Sequence, residues 1–201
     1  MIKKSFESAE EIFRQNKGIL RTAQAKELGV AQPTLSRMLD ARILVKEARG
    51  LYRLADMPPL GKPDLVQTAM LVPNSIICLI SALNFHDLTT QIPYRVFIAL
   101  PRGTKKPRID YPPLDIVHLS AKPYAAGIEK HVLDGISVRI YRREKTVADC
   151  FKFRNKLGKD IALEALQDYL RQPNRSIDKL LEYARVDRVE NIMRPYIETL
   201  V

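Results

Sequence analysis

The chain is poor in the residues that metal and redox sites require: two cysteines and three histidines in 201 residues. Cys78 and Cys150 lie far apart, each among apolar neighbours, and read as reduced, buried thiols of a cytosolic protein rather than as a disulfide. His86, His118 and His131 fall on different expected elements with no cysteine or carboxylate at ligand spacing, whereas a zinc site needs its ligands paired or close in sequence. No metal and no other cofactor is expected. The phosphate-cradling P-loop, the dinucleotide G-x-G-x-x-G and the nucleophile elbow G-x-S-x-G are absent as well. Asp110, Asp115, Glu129 and Glu144 could in principle gather around magnesium for nuclease chemistry, but acids on a small sheet are usually solvated. No catalytic residue is assigned, and the chain reads as non-enzymatic.

Long apolar runs are missing too. The longest, Ile76 to Leu83, is interrupted by Ser81 and is far shorter than the ~20 residues of a membrane span. The opening MIKKSFESAEE carries basic residues with no apolar segment behind them, which is not a signal peptide. A soluble, cytoplasmic protein without a membrane partner is the expectation.

What the chain does have is positive charge and apolar bulk. Hydrophobic residues make up 46% of the sequence, enough to build a core in one domain or two. A net charge of +10 favours an acidic polymer as partner, because lysine and arginine placed near phosphates release counterions. No polybasic cluster sits beside an amphipathic helix or lipidation motif, which disfavours an anionic membrane.

The segment Arg21 to Leu44, RTAQAKELGVAQPTLSRMLDARIL, has helix-turn-helix spacing: Ala25, Gly29 four residues later, and Leu35 six beyond that. Two helices that cross steeply need a small residue at the crossing, a turn residue tolerant of unusual backbone angles, and an apolar anchor. Leu28, Val30, Met38 and Leu39 are expected in the remaining apolar slots, Thr22 as the cap of the first helix and Gly29 as its left-handed stop. Gln32 and Pro33 suit the first turn of the second helix. Beyond it, Val45 to Ala48 and Leu51 to Leu54 flank Arg49-Gly50 and predict a hairpin wing. Upstream, Ser8 with Glu11 predicts a capping box opening a helix that Gly18 ends, and Ile19 and Leu20 a short strand against the wing. Residues 1–57 carry eleven lysines and arginines against seven acids, a net of +4, and are read as a winged helix-turn-helix domain for double-stranded DNA.

The candidate DNA-binding residues follow from those elements. Gln32, Thr34, Ser36 and Arg37 are expected to project from the N-terminal half of the second helix toward base edges, with Arg37 suited to the two acceptors of guanine. Lys46, Arg49 and Arg53 on the wing, with Arg21 at the start of the first helix, are expected at phosphates or the minor groove. One winged helix reads only a few base pairs, so two copies on an inverted-repeat operator are expected, from a protein monomeric in solution.

The cluster Asp56 to Pro63, DMPPLGKP, is read as a linker to a mixed domain, residues 58–201. There Asp64 and Gln67 predict a helix over LVQTAML, and Ser75 predicts another through Ile76, Ile77, Leu79, Ile80 and Leu83. Alternation from Tyr94 to Leu100 and the run Leu114 to Leu119 predict strands, and Asp134-Gly135 a hairpin joining Ile128–Leu133 to Ile136–Tyr141. Thr146 with Asp149, Asp160, and Ser176 are read as starts of C-terminal helices, the last of which Pro195 is expected to kink. The fold class is therefore α+β. Arg102, Lys105, Lys106 and Arg108 crowd one loop, and Arg142, Arg143 and Lys145 another; such runs are either solvated surface or contacts to a nucleic-acid backbone or acidic partner.

The succession ARGLYRL, SALNFHDLTTQIP, VFIALPRGTKKPRI and ISVRIYRREKTVADCFKFRNKLGKDIALEALQDYL resembles the AbiEi-type antitoxins of bacterial type IV toxin-antitoxin systems over nearly the whole chain. The resemblance implies a cytoplasmic DNA-binding repressor of its own operon whose second domain counteracts a nucleotidyltransferase toxin. It supplies no residue-level motif for that second domain. The rival reading is a stand-alone transcription factor whose second domain senses a small molecule.

Overall fold

The computed structural model describes residues 2–200. The fold is α+β and divides into two compact units. One comprises the chain up to Pro73 with Arg108–Pro112 and Val132–Ser137; the other comprises Asn74–Pro107, Pro113–His131 and the chain from Val138 onward.

The first unit opens with α1 (Ile2–Gln15). The helix is already running at Ser8, so the expected Ser8–Glu11 capping box does not form. Its end is where the glycine places it. Gly18 N–H donates to the Phe13 carbonyl at 2.7 Å, with Lys17 and Gly18 both at positive φ. A Cβ on Gly18 would also lie 2.9 Å from Met57 Cγ.

Next come β1 (Ile19–Arg21), α2 (Thr22–Glu27), α3 (Gln32–Asp40), β2 (Leu44–Ala48) and β3 (Leu51–Leu54). The strands form an antiparallel sheet in the order β1-β3-β2. Between α2 and α3 the chain makes a Schellman turn: Gly29 is at φ +91°, Val30 N–H reaches the Ala25 carbonyl at 2.8 Å and Gly29 N–H reaches that of Lys26 at 3.0 Å. Both carbonyls would otherwise lack partners at the helix end. Phe13, Ala25, Leu35 and Met38 are fully buried where the helices cross, so Ala25 is the small residue and Leu35 the anchor that the spacing predicts. Leu28 departs from the expectation. As the last residue before the glycine turn it points away from the core and is 44% exposed.

The other face of the small sheet, built on Ile19, Ala48 and Leu51, is covered by Leu60 and by Met70 and Leu71 of α4 (Pro63–Leu71). By contact, α4 therefore belongs with the first unit.

The second unit corrects the Ser75 helix. Ile76–Ile77 form a short strand, β4, and only Leu79–Phe85 are helical, α5. An apolar run of this length fits a doubly covered strand as well as a buried helix, and periodicity cannot separate them. Then come β5 (Val96–Pro101), β6 (Leu114–Leu119), the short α6 (Ala121–Ala125), β7 (Ile128–Leu133) and β8 (Ile136–Tyr141). They form a five-stranded sheet in the order β6-β5-β4-β8-β7. Strand β4 runs antiparallel to β5 and parallel to β8, while β5 and β6 are parallel. A parallel neighbour needs a long crossover, and the basic segment PRGTKKPR lies in that connection. The β7–β8 turn has Asp134 at φ +50° and Gly135 at φ +77°, the double positive φ of a two-residue hairpin turn.

The helices α7 (Arg143–Lys152), α8 (Arg154–Leu157), α9 (Lys159–Arg171), α10 (Ile177–Asp187) and α11 (Glu190–Leu200) complete the unit. Ser176 caps α10, accepting from Lys179 N–H at 3.4 Å. Thr146 does not cap α7. It lies inside the helix, fully buried, with its hydroxyl donating to the Tyr141 carbonyl at 3.2 Å. Pro195 sits within α11 without ending it. Ala99, Val117, Phe151, Leu166, Leu180 and Met193 join the sheet and these helices in one core.

Candidate nucleic-acid interface

Helix α3 shows two different sides. Leu35 and Met38 are buried, whereas Gln32, Ser36 and Arg37 are exposed. Arg37 Nε donates to the Pro33 carbonyl at 3.2 Å, which lays the guanidinium back along its own helix. Thr34 corrects the expected set. It is only 8% exposed and lines a small cavity with Ser8 and Ile12 of α1, because this side of α3 packs on α1.

The wing is tied to the front of α2. Thr22 is the first helical residue rather than the cap; its N–H and hydroxyl both donate to the Gly50 carbonyl, at 2.9 and 3.3 Å. Arg21 takes the cap position with extended backbone, and its N–H donates to Gln24 Oε1 at 3.2 Å. Arg21 pairs with Leu51 across the sheet, so Arg21 and the turn residue Arg49 lie at one end of the wing.

Lys46 and Arg49 are exposed, and Arg49 meets Asp110, also exposed, at 3.5 Å. Arg53 is different, and the expectation for it is corrected. Its Nε bonds Glu47 Oε1 at 2.5 Å and its NH1 donates to the carbonyls of Leu54 and Met57, with the side chain 11% exposed. Placed on the strand opposite Val45, it closes the base of the wing instead of reaching outward.

The second set of candidates separates in the same manner. Arg102, Lys105, Lys106 and Arg108 are exposed. Lys106 lines an open polar cleft with Arg95, Asp115 and His118, and His118 Nε2 lies 3.0 Å from the Thr104 carbonyl. Arg142 and Arg143, by contrast, hold the fold. Arg142 Nε bonds Glu129 at 2.7 Å, and Arg143 NH1 donates to Gln172 Oε1 at 2.6 Å and Asn174 Oδ1 at 3.0 Å. Burial alone would raise Glu129, but Arg142 and His131 outweigh it and keep the carboxyl below its usual range.

Lys145, which looks like one more surface cation in RREKT, has a wholly buried side chain. Its Nζ lies 2.5 Å from Asp149 Oδ1, 3.0 Å from Asp187 Oδ2 and 4.7 Å from the centre of the Tyr141 ring. Lys152 adds a second bond to Asp187, at 3.2 Å. Burial pushes the Asp149 carboxyl up, and Asp187 adds to the rise, against the pull of Lys145. The backbone is shaped to admit the ammonium stem: Gly127, at φ +73°, would place a Cβ 2.7 Å from Lys145 Cβ. The 4-residue spacing of Lys145 and Asp149 was visible in the sequence; Asp187, 42 residues away in the chain, was not.

Cys78 and Cys150 are free and buried, and burial pushes both thiols up, away from nucleophilic use. Among the described residues no group of three histidine, cysteine or carboxylate side chains could hold a metal ion, and no helix is long and apolar enough to cross a membrane.

The exposed α3 face, the anchored wing and the glycine turn all fall within one segment. Residues 7–55 match the family of transcriptional regulators described as AbiEi antitoxins. The matched segment runs from within α1 to the residue after β3 and so takes in the complete helix-turn-helix and wing. The AbiEi match supports a DNA-binding antitoxin and transcriptional regulator. No curated protein matches the chain.

Proposed function

We propose that the chain is a cytoplasmic, non-enzymatic repressor that binds an inverted-repeat operator in its own promoter and counteracts a nucleotidyltransferase toxin encoded beside it. Residues 1–57 are the DNA-binding domain in this reading, and the antitoxin domain lies within residues 58–201, whose first helix, α4, packs on the winged helix. The observation that carries it is the AbiEi antitoxin match over residues 7–55, falling on a helix that presents Gln32, Ser36 and Arg37 to solvent.

Arg37 reads guanine, Gln32 and Ser36 read neighbouring base edges, and Lys46, Arg49 and Arg21 hold phosphates. Thr34 and Arg53 support these groups from within. Two monomers meet on the DNA, since one module contacts too few base pairs to find an operator among genomic competitors. Arg102, Lys105, Lys106 and Arg108 remain the cations available to a nucleic-acid backbone or an acidic partner.

The test has two arms with the full-length protein. A mobility-shift assay on the chain's own upstream region should give a shift that an unrelated duplex does not compete, and light scattering should show a monomer without DNA. Co-expression with the neighbouring nucleotidyltransferase should restore growth. Failure of the first arm removes the repressor assignment, and failure of the second alone removes the antitoxin assignment.

A further inference from the structure

Between α8, α9 and α11 lies a cleft that none of the DNA-binding geometry uses. Its floor is Phe151 and Ala162, 2% and 1% exposed, and Leu163 and Ile192 form its sides. Tyr196 stands at the rim, 41% exposed, its ring centre 5.9 Å from that of Phe151 and inclined to it by 46°. The cavity holds about 130 Å³. That is the size of one aromatic ring, since an apolar cavity of about 150 Å³ accommodates benzene.

The rim is charged on one side only. Arg154 and Lys159 line the cleft, and among the described residues no carboxylate lines it. Arg154 NH1 donates to the Phe151 carbonyl at 2.8 Å, which holds the guanidinium at the rim while engaging one of its five N–H donors. Lys159 begins α9 directly after Gly158, whose φ of +105° turns the chain sharply between α8 and α9 and so puts both cations at one mouth.

We propose that this cleft binds a monocyclic aromatic carboxylate of the benzoate class. The ring would lie against Phe151 and Tyr196 in the inclined geometry that aromatic faces prefer, and the carboxylate would take the Arg154 fork and the Lys159 ammonium. A neutral ring of equal size would fill the cavity and leave two cations unanswered, and a short aliphatic acid would answer them and leave the floor empty. The site stands apart from the DNA-binding reading.

The experiment is ¹⁹F NMR of 4-fluorobenzoate titrated with the full-length protein, with 4-fluorobenzyl alcohol and fluoroacetate as comparison probes. Saturable broadening is expected for 4-fluorobenzoate, with each comparison probe roughly tenfold weaker because it lacks one half of the recognition. Lys159→Glu changes an exposed residue and should weaken 4-fluorobenzoate by about fivefold or more through charge reversal, with the melting curve unchanged. Leu163→Trp should fill the cavity and abolish binding. Absence of saturation up to roughly 20 mM, below any useful small-ligand affinity, would overturn the site. Equal binding of the alcohol, or parent-like binding by both variants, would overturn it as well.

Discussion

Two sets of cations, one in each unit, are placed in opposite ways. In the first, Arg37, Lys46 and Arg49 stand in solvent over a cluster of buried apolar side chains. In the second, Lys145 is drawn completely inside, between Asp149 and Asp187 on α7 and α10. An exposed cation costs the fold little and stays free to meet phosphate. A buried one loses its hydration, and its partners are then obligatory. The exposed cations of the winged helix are therefore open to a partner, whereas Lys145 fixes how α7 and α10 pack together.

The sharpest break in that contrast is Lys145→Ala. It leaves Asp149 and Asp187 buried and facing each other without the shared ammonium, and should cost about 3–5 kcal/mol of stability. Lys46→Ala should stay within about 0.5 kcal/mol, as surface substitutions do. Urea denaturation followed by circular dichroism measures both. Equal effects would mean that Lys145 is hydrated in solution.

Within the winged helix the comparison can be made between three arginines. Arg37→Ala should lose about 1–3 kcal/mol of operator affinity and relax base preference, without a change in melting temperature. Arg49→Ala should weaken all duplexes alike and lower the log-log salt slope by about 1. Arg53→Ala should do the reverse of both, destabilising the wing through loss of the Glu47, Leu54 and Met57 bonds by about 1–3 kcal/mol, while the folded fraction binds normally. Gly29→Ala comes next. Its Cβ would meet nothing within 4 Å, so only the left-handed φ of +91° resists it, at about 1–2 kcal/mol.

How far the sequence reveals these structures follows the range of the interactions. The helix-turn-helix, the wing and the Asp134-Gly135 hairpin rest on residues a few positions apart, where backbone stereochemistry dictates the answer, and they form where the spacing puts them. The start of α1 fails because a capping pattern at Ser8 is only a local preference, and a helix can run through it when its apolar face continues to pack. Ile76–Ile77 became a strand because β5 and β8 lie on either side of it, a tertiary fact. Thr34, Arg53 and Lys145 are the same lesson in the site. Side-chain type marked all three as available, and only the packing of α3 on α1, the width of the wing, and the approach of α10 show that they are not.

The smallest expected effect is a pH dependence centred on His86. Burial lowers its pKa below the usual 6.5, against the opposing pull of the Tyr141 carbonyl bond and of Glu129, while His131 and Arg143 add to the lowering. Nε2 lies 2.7 Å from that carbonyl and so carries the proton, leaving Nδ1 as the atom that titrates. Phe85 packs edgewise on His86 at 5.2 Å and His131 lies 6.1 Å away, so a second charge has little room to be solvated. A histidine whose folded pKa is depressed contributes stability that is fully present above its unfolded value and is lost as pH falls through the folded one. Stability should therefore be level above pH 6.5 and decline below it. The lowered carboxyl of Glu129 acts in its own window, below about pH 4.5. Urea midpoints of the parent and of His86→Gln, compared between neutral pH and about pH 5, isolate the histidine. The variant keeps a side-chain donor for Tyr141 but cannot titrate, so its midpoint should change less with pH than the parent's. An equal or steeper decline in the variant would remove His86 as its source.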